Sequence, residues 1–227
     1  MSGRAPGRMV LMAAVAALAL GAALPDTAQA RPRARARGWT PLARTDLVIE
    51  GGVAQPLGDL GADYFSTVKG FGAETGYEVG ARYRAVWRSG WALSPSFHFA
   101  DYGDFAGYLE DDTPFVVKAS VLRYGLDAQY FWDPLAAGPQ PFVSFGLALC
   151  RNRYRDETLG TSADFYEAST NALALAFGAG IKADAFEISL TYNLNRFESA
   201  QLLYFGDRTD YNWDSLSVRV GLALPGS

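Results

Sequence analysis

The chain has 227 residues, a formal net charge of −4, 49% hydrophobic and 14% aromatic residues. That length suits one domain of ordinary size. With one cysteine (Cys150) and one histidine (His98), an internal disulfide, a thiolate metal cluster and a multi-histidine metal site are excluded.

In chain order, Arg4 and Arg8 precede an uncharged run from Met9 to Leu24, and Ala28-Gln29-Ala30 follows as a small-x-small site. This is the build of a secretory signal peptide over residues 1–30, cleaved after Ala30. The apolar run has 16 residues, fewer than the roughly 20 a spanning helix needs. The residue directly after the cleavage site is Arg31, not the cysteine that would carry a lipid anchor. Residues 31–44 form a basic tail with Arg31, Arg33, Arg35, Arg37 and Arg44. Such a tail could serve as a nucleic-acid arm, but export makes that partner out of place, and a periplasmic linker is expected. From Thr45 onward the chain holds 13 basic and 23 acidic residues.

From there the dominant signal is a period of two. A first strand sets Leu47, Ile49 and Val53 against Glu50 and Gly52. A second sets Phe71, Tyr77, Val79, Tyr83 and Trp87 against Glu74, Glu78, Arg82 and Arg84. A third opposes Trp91, Leu93, Phe97 and Phe99 to Ser94, Ser96 and His98. Leu122, Tyr124, Leu126, Tyr130 and Trp132 alternate with Arg123, Asp127 and Gln129. Val143, Phe145, Leu147 and Leu149 alternate with Ser144, Gly146 and Cys150. Leu173, Leu175, Phe177 and Ile181 oppose Ala174, Gly178 and Lys182. Phe186, Ile188, Leu190, Tyr192 and Leu194 oppose Glu187, Ser189, Thr191 and Asn193. The eighth run sets Leu216, Val218, Val220, Leu222 and Leu224 against Ser217, Arg219 and Gly221.

One face of each strand is large and apolar; the other is Gly, Ala, Ser and charge. A water-soluble sandwich would keep Gly and Ala scarce on its polar face, whereas small residues suit a narrow barrel interior. No later run reaches 18 apolar residues, so a membrane form has to close a sheet on itself. The connections also alternate. Long ones lie near Pro56 to Val68, Gly103 to Phe115, Asp156 to Ser169 and Glu198 to Trp213; short ones are Arg88-Ser89-Gly90, Asp133 to Gln140 and Asp184-Ala185. Tight periplasmic turns and longer extracellular loops are the pattern of transmembrane barrels. Trp87, Trp91, Trp132, Phe142 and Phe186 at the short turns, and Tyr154, Phe197, Tyr211 and Trp213 near the long loops, are expected to form two interfacial belts. The reading is all-β: an eight-stranded antiparallel up-and-down transmembrane β-barrel over residues 45–227.

Glu50-Gly51-Gly52-Val53-Ala54-Gln55-Pro56-Leu57-Gly58-Asp59, followed by Gly70-Phe71-Gly72 and Gly76-Tyr77, resembles the opening of the outer-membrane β-barrel family that includes the small OmpA/OmpX-type barrels. The likeness covers the mature chain in pattern and residues 50–80 in local motif. It implies an outer-membrane location, surroundings of lipid and lipopolysaccharide, and delivery by the outer-membrane assembly machinery. Such barrels usually end in an aromatic residue; here Leu224 is followed by Pro225-Gly226-Ser227.

By this register Glu50, Glu74, Glu78, Asp127 and Glu187 face inward with Arg82, Arg84, Arg123, Lys182 and Arg219, five of each sign. Unpaired buried charge is costly, so these are expected to pair into an ionic plug. Its centre is expected at Glu50, Glu78, Arg82, Arg123 and Arg219, with Asp127 and Glu187 taking part. The alternative is a permeation path, but eight strands leave an interior only wide enough for side chains. His98 shares a face with Ser94 and Ser96, and Asp101 and Asp104 follow, which raises a Ser-His-acid enzyme acting on lipid A. Neighbours at i and i+2 stand about 6.5–7 Å apart along a strand, and that face points away from lipid, so no catalytic residue is assigned. Arg151, Arg153, Arg155 and Arg196 keep the outward parity at the extracellular ends. There they either contact lipopolysaccharide phosphates or snorkel at the interface.

The loop carboxylates Asp104, Glu110, Asp111, Asp112, Asp156, Glu157, Asp164, Asp207 and Asp210 match no calcium-loop spacing and read as a solvated acidic surface. Phe165-Tyr166 and Leu202-Leu203-Tyr204-Phe205 are apolar loop clusters. No cofactor, metal or nucleic acid is expected, and the extracellular partner is left open. The expected function is non-enzymatic, structural or surface-interacting. The alternatives are a lipid A-modifying enzyme built on His98 and a soluble lipocalin-like carrier with its large apolar residues turned inward.

Overall fold

The computed structural model describes residues 42–63, 70–108, 112–136, 138–158, 165–199 and 209–226. The expected signal segment, residues 31–41 of the tail region, Glu110, Asp111, Asp164, Asp207 and the cluster from Leu202 to Phe205 lie outside these residues. The elements are β1 (Leu42–Pro56), the one-turn helix α1 (Gly58–Gly61), β2 (Glu74–Trp87), β3 (Trp91–Gly103), β4 (Phe105–Tyr108), β5 (Pro114–Phe131), β6 (Gln140–Thr158), β7 (Phe165–Ala183), β8 (Phe186–Ser199), β9 (Thr209–Asn212) and β10 (Ser215–Pro225).

The antiparallel order β1-β2-β3-β5-β6-β7-β8-β10 closes into a ring, because β10 pairs back onto β1 from Asp46↔Pro225 to Pro56↔Ser215. The wall therefore has eight strands, as the alternation implies. Two of them are interrupted near the extracellular end: β4 pairs β5 beyond the end of β3, and β9 pairs β8 ahead of β10. The second break is pinned to Asn195. Trp213 donates its backbone N–H to the Asn195 carbonyl at 2.9 Å, and the Asn195 N–H donates to the Asp214 carboxylate at 3.0 Å.

Strand parity sets the two faces. Val220 and Trp91 are each 56% exposed on the outside, while Val48, Ser94 and Ser217 are fully buried inside. A closed wall leaves no sheet edge to satisfy, and its large apolar residues look outward, where only hydrocarbon matches them. β2 and β3 meet in a tight turn at Gly90, whose φ of +93° suits glycine and whose N–H donates to the Trp87 carbonyl at 3.0 Å.

Several boundaries differ from the expectation. β1 takes in Leu42, Ala43 and Arg44, which the sequence assigns to the tail; Arg44 lies opposite Val86. β6 and β7 continue pairing to Glu157↔Phe165, inside the stretch expected as a loop. At 18 or 19 residues, β5, β6 and β7 exceed the roughly 9–11 that a tilted strand needs to cross a bilayer, and the surplus lies at their long-loop ends, where the alternation of large apolar residues has stopped.

The interior is layered. At the extracellular end Phe71, Tyr154, Tyr211 and Trp213 point inward, with Phe71 packed edge-on to Tyr154 and to Trp213 at 5.1 Å between ring centroids. Phe71 arrives there because the β1–β2 connection folds back. Phe71, Gly72 and Ala73 donate backbone N–H groups to Asp59, Ala62 and Leu60. Tyr154, Phe197, Tyr211 and Trp213, expected in an outer belt, thus build or pack against a buried cap. Phe142, expected at the periplasmic belt, is buried beside Phe131, Val86 and Ala92. Trp91, Trp132 and Phe186 do face outward near the short turns.

Candidate functional site

Between the aromatic cap and the small periplasmic cluster, inward positions of six wall strands supply charge: Asp46 and Glu50 from β1, Glu78, Arg82 and Arg84 from β2, His98 from β3, Arg123 and Asp127 from β5, Glu187 from β8, and Arg219 from β10. Arg82 pairs with Glu187 and stands 3.5 Å from Glu50. Arg84 donates to Glu187 at 2.8 Å and to Asp46 at 2.9 Å. Arg44 also donates to Asp46, at 3.2 Å. Arg219 reaches Glu50 at 3.4 Å and Glu78 at 3.5 Å, and donates to the Thr191 hydroxyl. Arg123 donates to Glu78 at 2.7 Å and to the Asn193 side-chain oxygen.

His98 lies among these groups. Its ring nitrogens stand 3.2 Å from Glu78 and 3.4 Å from Glu50, and Arg219 approaches Nδ1 to 3.0 Å. At the periplasmic side Arg84 and Arg44 sit over the Phe131 ring, 5.2 and 5.6 Å from its centroid. Each of Asp46, Glu50, Glu78 and Glu187 therefore has at least one guanidinium partner, the condition under which buried carboxylates stay charged at acceptable cost.

Of the residues expected in the plug, the structure gathers Glu50, Glu78, Arg82, Arg123, Glu187 and Arg219 into one connected set. Asp127 lines the same cavity as Arg82, Arg123 and Arg219 but makes no hydrogen bond or ion pair among the described residues. Glu74 is a correction: it is exposed, because the pairing register slips between Glu74 and Tyr77 and reverses the parity above the slip. Lys182 is buried at the periplasmic end, where it donates to the Asp184 carbonyl rather than to the central carboxylates. Sequence reasoning missed Asp46 as a member. Its signal was parity, since it stands four residues before Glu50 on the same face.

The Ser-His-acid constellation does not assemble. Ser94 and His98 are buried, and no Ser–His hydrogen bond occurs among the described residues. Asp101 points outward and accepts a hydrogen bond from the Tyr77 hydroxyl at 3.1 Å, while Asp104 is exposed.

On the outside, Arg151, Arg153 and Arg155 follow one face of β6 beyond Leu149, and Arg196 follows Leu194 on β8. Arg153 pairs with Glu167 and Arg155 with Glu157, each at 2.7 Å; Arg196 stands 3.7 Å from Asp214.

A closed eight-stranded wall, apolar outside and ion-paired within, defines the class: a transmembrane β-barrel of the outer-membrane type. In fold the chain is similar to Neisserial surface protein A (NspA), with a TM-score of 0.52, 12% identity, and coverage of 82% of this chain and 99% of that one. Weaker likenesses, each with a TM-score of 0.42, are to Ail, the attachment invasion locus protein of Yersinia pestis (14% identity, 80% of this chain and 98% of that one), and to the N-terminal β-barrel domain of Pseudomonas aeruginosa OprF (13% identity, 81% and 100%). No protein-family model matches the sequence, and no curated protein matches it significantly.

Proposed function

We propose that this chain is a non-enzymatic outer-membrane barrel whose interior is a structural plug and whose working surface is its extracellular rim. The observation that carries the reading is the stacking of two seals in one narrow lumen. The rings of Phe71, Tyr154 and Trp213 lie above, and the Glu50–Arg82–Glu187 and Glu78–Arg219 pairs lie below. The cavities beside His98 and Arg123 measure about 10 Å³ each, room for about one water molecule and too little for solute passage. His98 spends its ring nitrogens on Glu50, Glu78 and Arg219, which leaves none to activate a serine. A lipocalin-like carrier would need its large apolar residues inside, whereas Val220 and Phe97 are outside.

Two measurements test this. In planar bilayers the purified barrel is expected to show no discrete conductance steps; a stable open pore would refute the plug. The lipid A mass spectrum of cells carrying His98→Asn is expected to match that of cells carrying the parent protein. A modification present with the parent and lost with the variant would restore the enzymatic reading.

A further inference from the structure

The wall is preceded by an arginine-rich segment. Arg31, Arg33, Arg35 and Arg37 stand at every second position, and no carboxylate occurs between Arg31 and Thr45. The structure shows where this segment joins the barrel. β1 begins at Leu42, which lies opposite Trp87 and is 50% exposed. Trp91, Trp132 and Phe186 face outward at the same end. Such side chains on the outside of a barrel, beside its tight turns, mark the height of a lipid–water interface. Arg44 fixes the junction: its guanidinium donates to the Asp46 carboxylate, to the Pro134 carbonyl at 2.9 Å and to the Gln140 side-chain oxygen at 3.0 Å.

The periplasmic end has little with which to neutralise those four arginines. Its exposed carboxylates among the described residues are Asp133 and Asp184, and Asp133 already accepts the Leu135 N–H. Asp46 is shared by Arg44 and Arg84. Arg88 is a further exposed cation in the β2–β3 turn. Even with a terminal carboxylate at Ser227 counted, Arg88 and the four arginines outnumber the available acids. Arg37 is five residues from Leu42 and Arg31 is eleven, so a fully extended chain places them at most about 17 and 37 Å from the interface. Trp39 lies between the arginines and the wall, and an indole prefers the headgroup level. Basic residues tethered beside a bilayer are held by anionic lipid, and a guanidinium fork binds phosphate through paired N–H···O bonds. A tryptophan at that position favours the membrane surface over the more distant cell-wall polymer.

We propose that residues 31–41 are a lipid-binding arm that docks on the phosphate headgroups of anionic glycerophospholipid in the periplasmic leaflet, with Arg31, Arg33, Arg35 and Arg37 as the binding residues and Trp39 as the interfacial anchor. The proposal rests on the membrane placement given above and on release of residues 1–30. It gives the barrel an electrostatic hold on the leaflet opposite its long loops.

The test places a nitroxide on Ala34→Cys in the mature chain, folded into nanodiscs of phosphatidylcholine alone or of phosphatidylcholine with phosphatidylglycerol at seven to three. Cys150, 2% exposed inside the wall, stays unlabelled in the folded chain. Electron paramagnetic resonance at low salt is expected to show a slowed label with phosphatidylglycerol and a mobile one without it, the ratio of bound to free arm differing by about tenfold or more. Salt at 0.5 M should free the arm. The variant Arg31→Gln/Arg33→Gln/Arg35→Gln/Arg37→Gln should be mobile in both lipids, and the matching Arg→Lys variant should keep part of the response. A label equally mobile with and without phosphatidylglycerol overturns the arm. Capture of the parent by purified peptidoglycan sacculi, lost in the Gln variant and with no response to phosphatidylglycerol, overturns the choice of lipid. Sequencing of the exported chain is expected to begin at Arg31; retention of residues 1–30 overturns the arm as placed. Barrel insertion is read separately, from heat-dependent gel mobility and membrane fractionation. A chain that does not insert overturns the function proposed above, whereas an inserted barrel with a free arm overturns this proposal alone.

Discussion

Arg219 is the point at which the interior network is most exposed to test. Its guanidinium faces Glu50 at 3.4 Å, Glu78 at 3.5 Å and His98 at 3.0 Å, all from a fully enclosed position on β10. Arg219→Met keeps the volume and removes the charge. Glu50 is then left with Arg82 at 3.5 Å, and Glu78 with Arg123 at 2.7 Å. Removing one partner of a buried ion pair costs about 3–5 kcal/mol. Because each carboxylate keeps one arginine, the lower end applies, about 3 kcal/mol. For a domain of this size each kcal/mol lowers Tm by roughly 2–4 °C, so the variant should melt roughly 6–12 °C below the parent. The assay is thermal unfolding in detergent, followed by circular dichroism and by gel mobility. A second substitution, Glu50→Gln, should add less loss in the Arg219→Met background than alone, because the two residues share one interaction. A Tm within about 2 °C of the parent for Arg219→Met, or strict additivity of the two losses, would refute the network.

Other consequences follow from the layering. Trp213→Ala removes the largest buried ring of the cap and should cost about 3–5 kcal/mol; it should also raise the bilayer conductance from its closed baseline. A variant that neither melts earlier nor conducts would show that the cap is not a seal. Val220→Arg puts a charge on the lipid-facing wall and should cost about 2–4 kcal/mol if that position lies near mid-membrane, read as reduced refolding yield into vesicles. The same yield as the parent would place Val220 outside the hydrocarbon.

The barrel was legible because its wall obeys one rule throughout. In β8, Phe186, Ile188 and Leu190 alternate with Glu187, Ser189 and Thr191, and the structure keeps that parity. The same rule marks Glu50, Glu78, Arg82 and Arg219 as inward, because a strand without slips carries its parity from end to end. It fails where the register breaks. The slip between Glu74 and Tyr77 sends Glu74 to the surface. Alternation continued back from Tyr77 puts Phe71 on the outer face of a strand, whereas the chain there folds back onto α1 and drops the ring into the lumen. For Tyr154, Tyr211 and Trp213, nearness to the long loops suggests an outer belt, but parity is the stronger guide. Parity places all three inside: Tyr154 follows the inward Asn152 by two, and Tyr211 and Trp213 precede the inward Ser215 by four and two. Which cation meets which carboxylate was not legible, because partners such as Arg82 and Glu187 lie 105 residues apart and meet only once the ring has closed.

Contacts between lipid and side-chain methyl groups test the orientation of the wall most directly. In lipid nanodiscs, with methyl-labelled protein, the account predicts nuclear Overhauser contacts from lipid acyl-chain protons to the methyl groups of Leu147, Leu173, Val218 and Val220. It predicts none to those of Val48, Val86 and Val121, which line the interior. Acyl-chain contacts to the second set, with the first set silent, would contradict it.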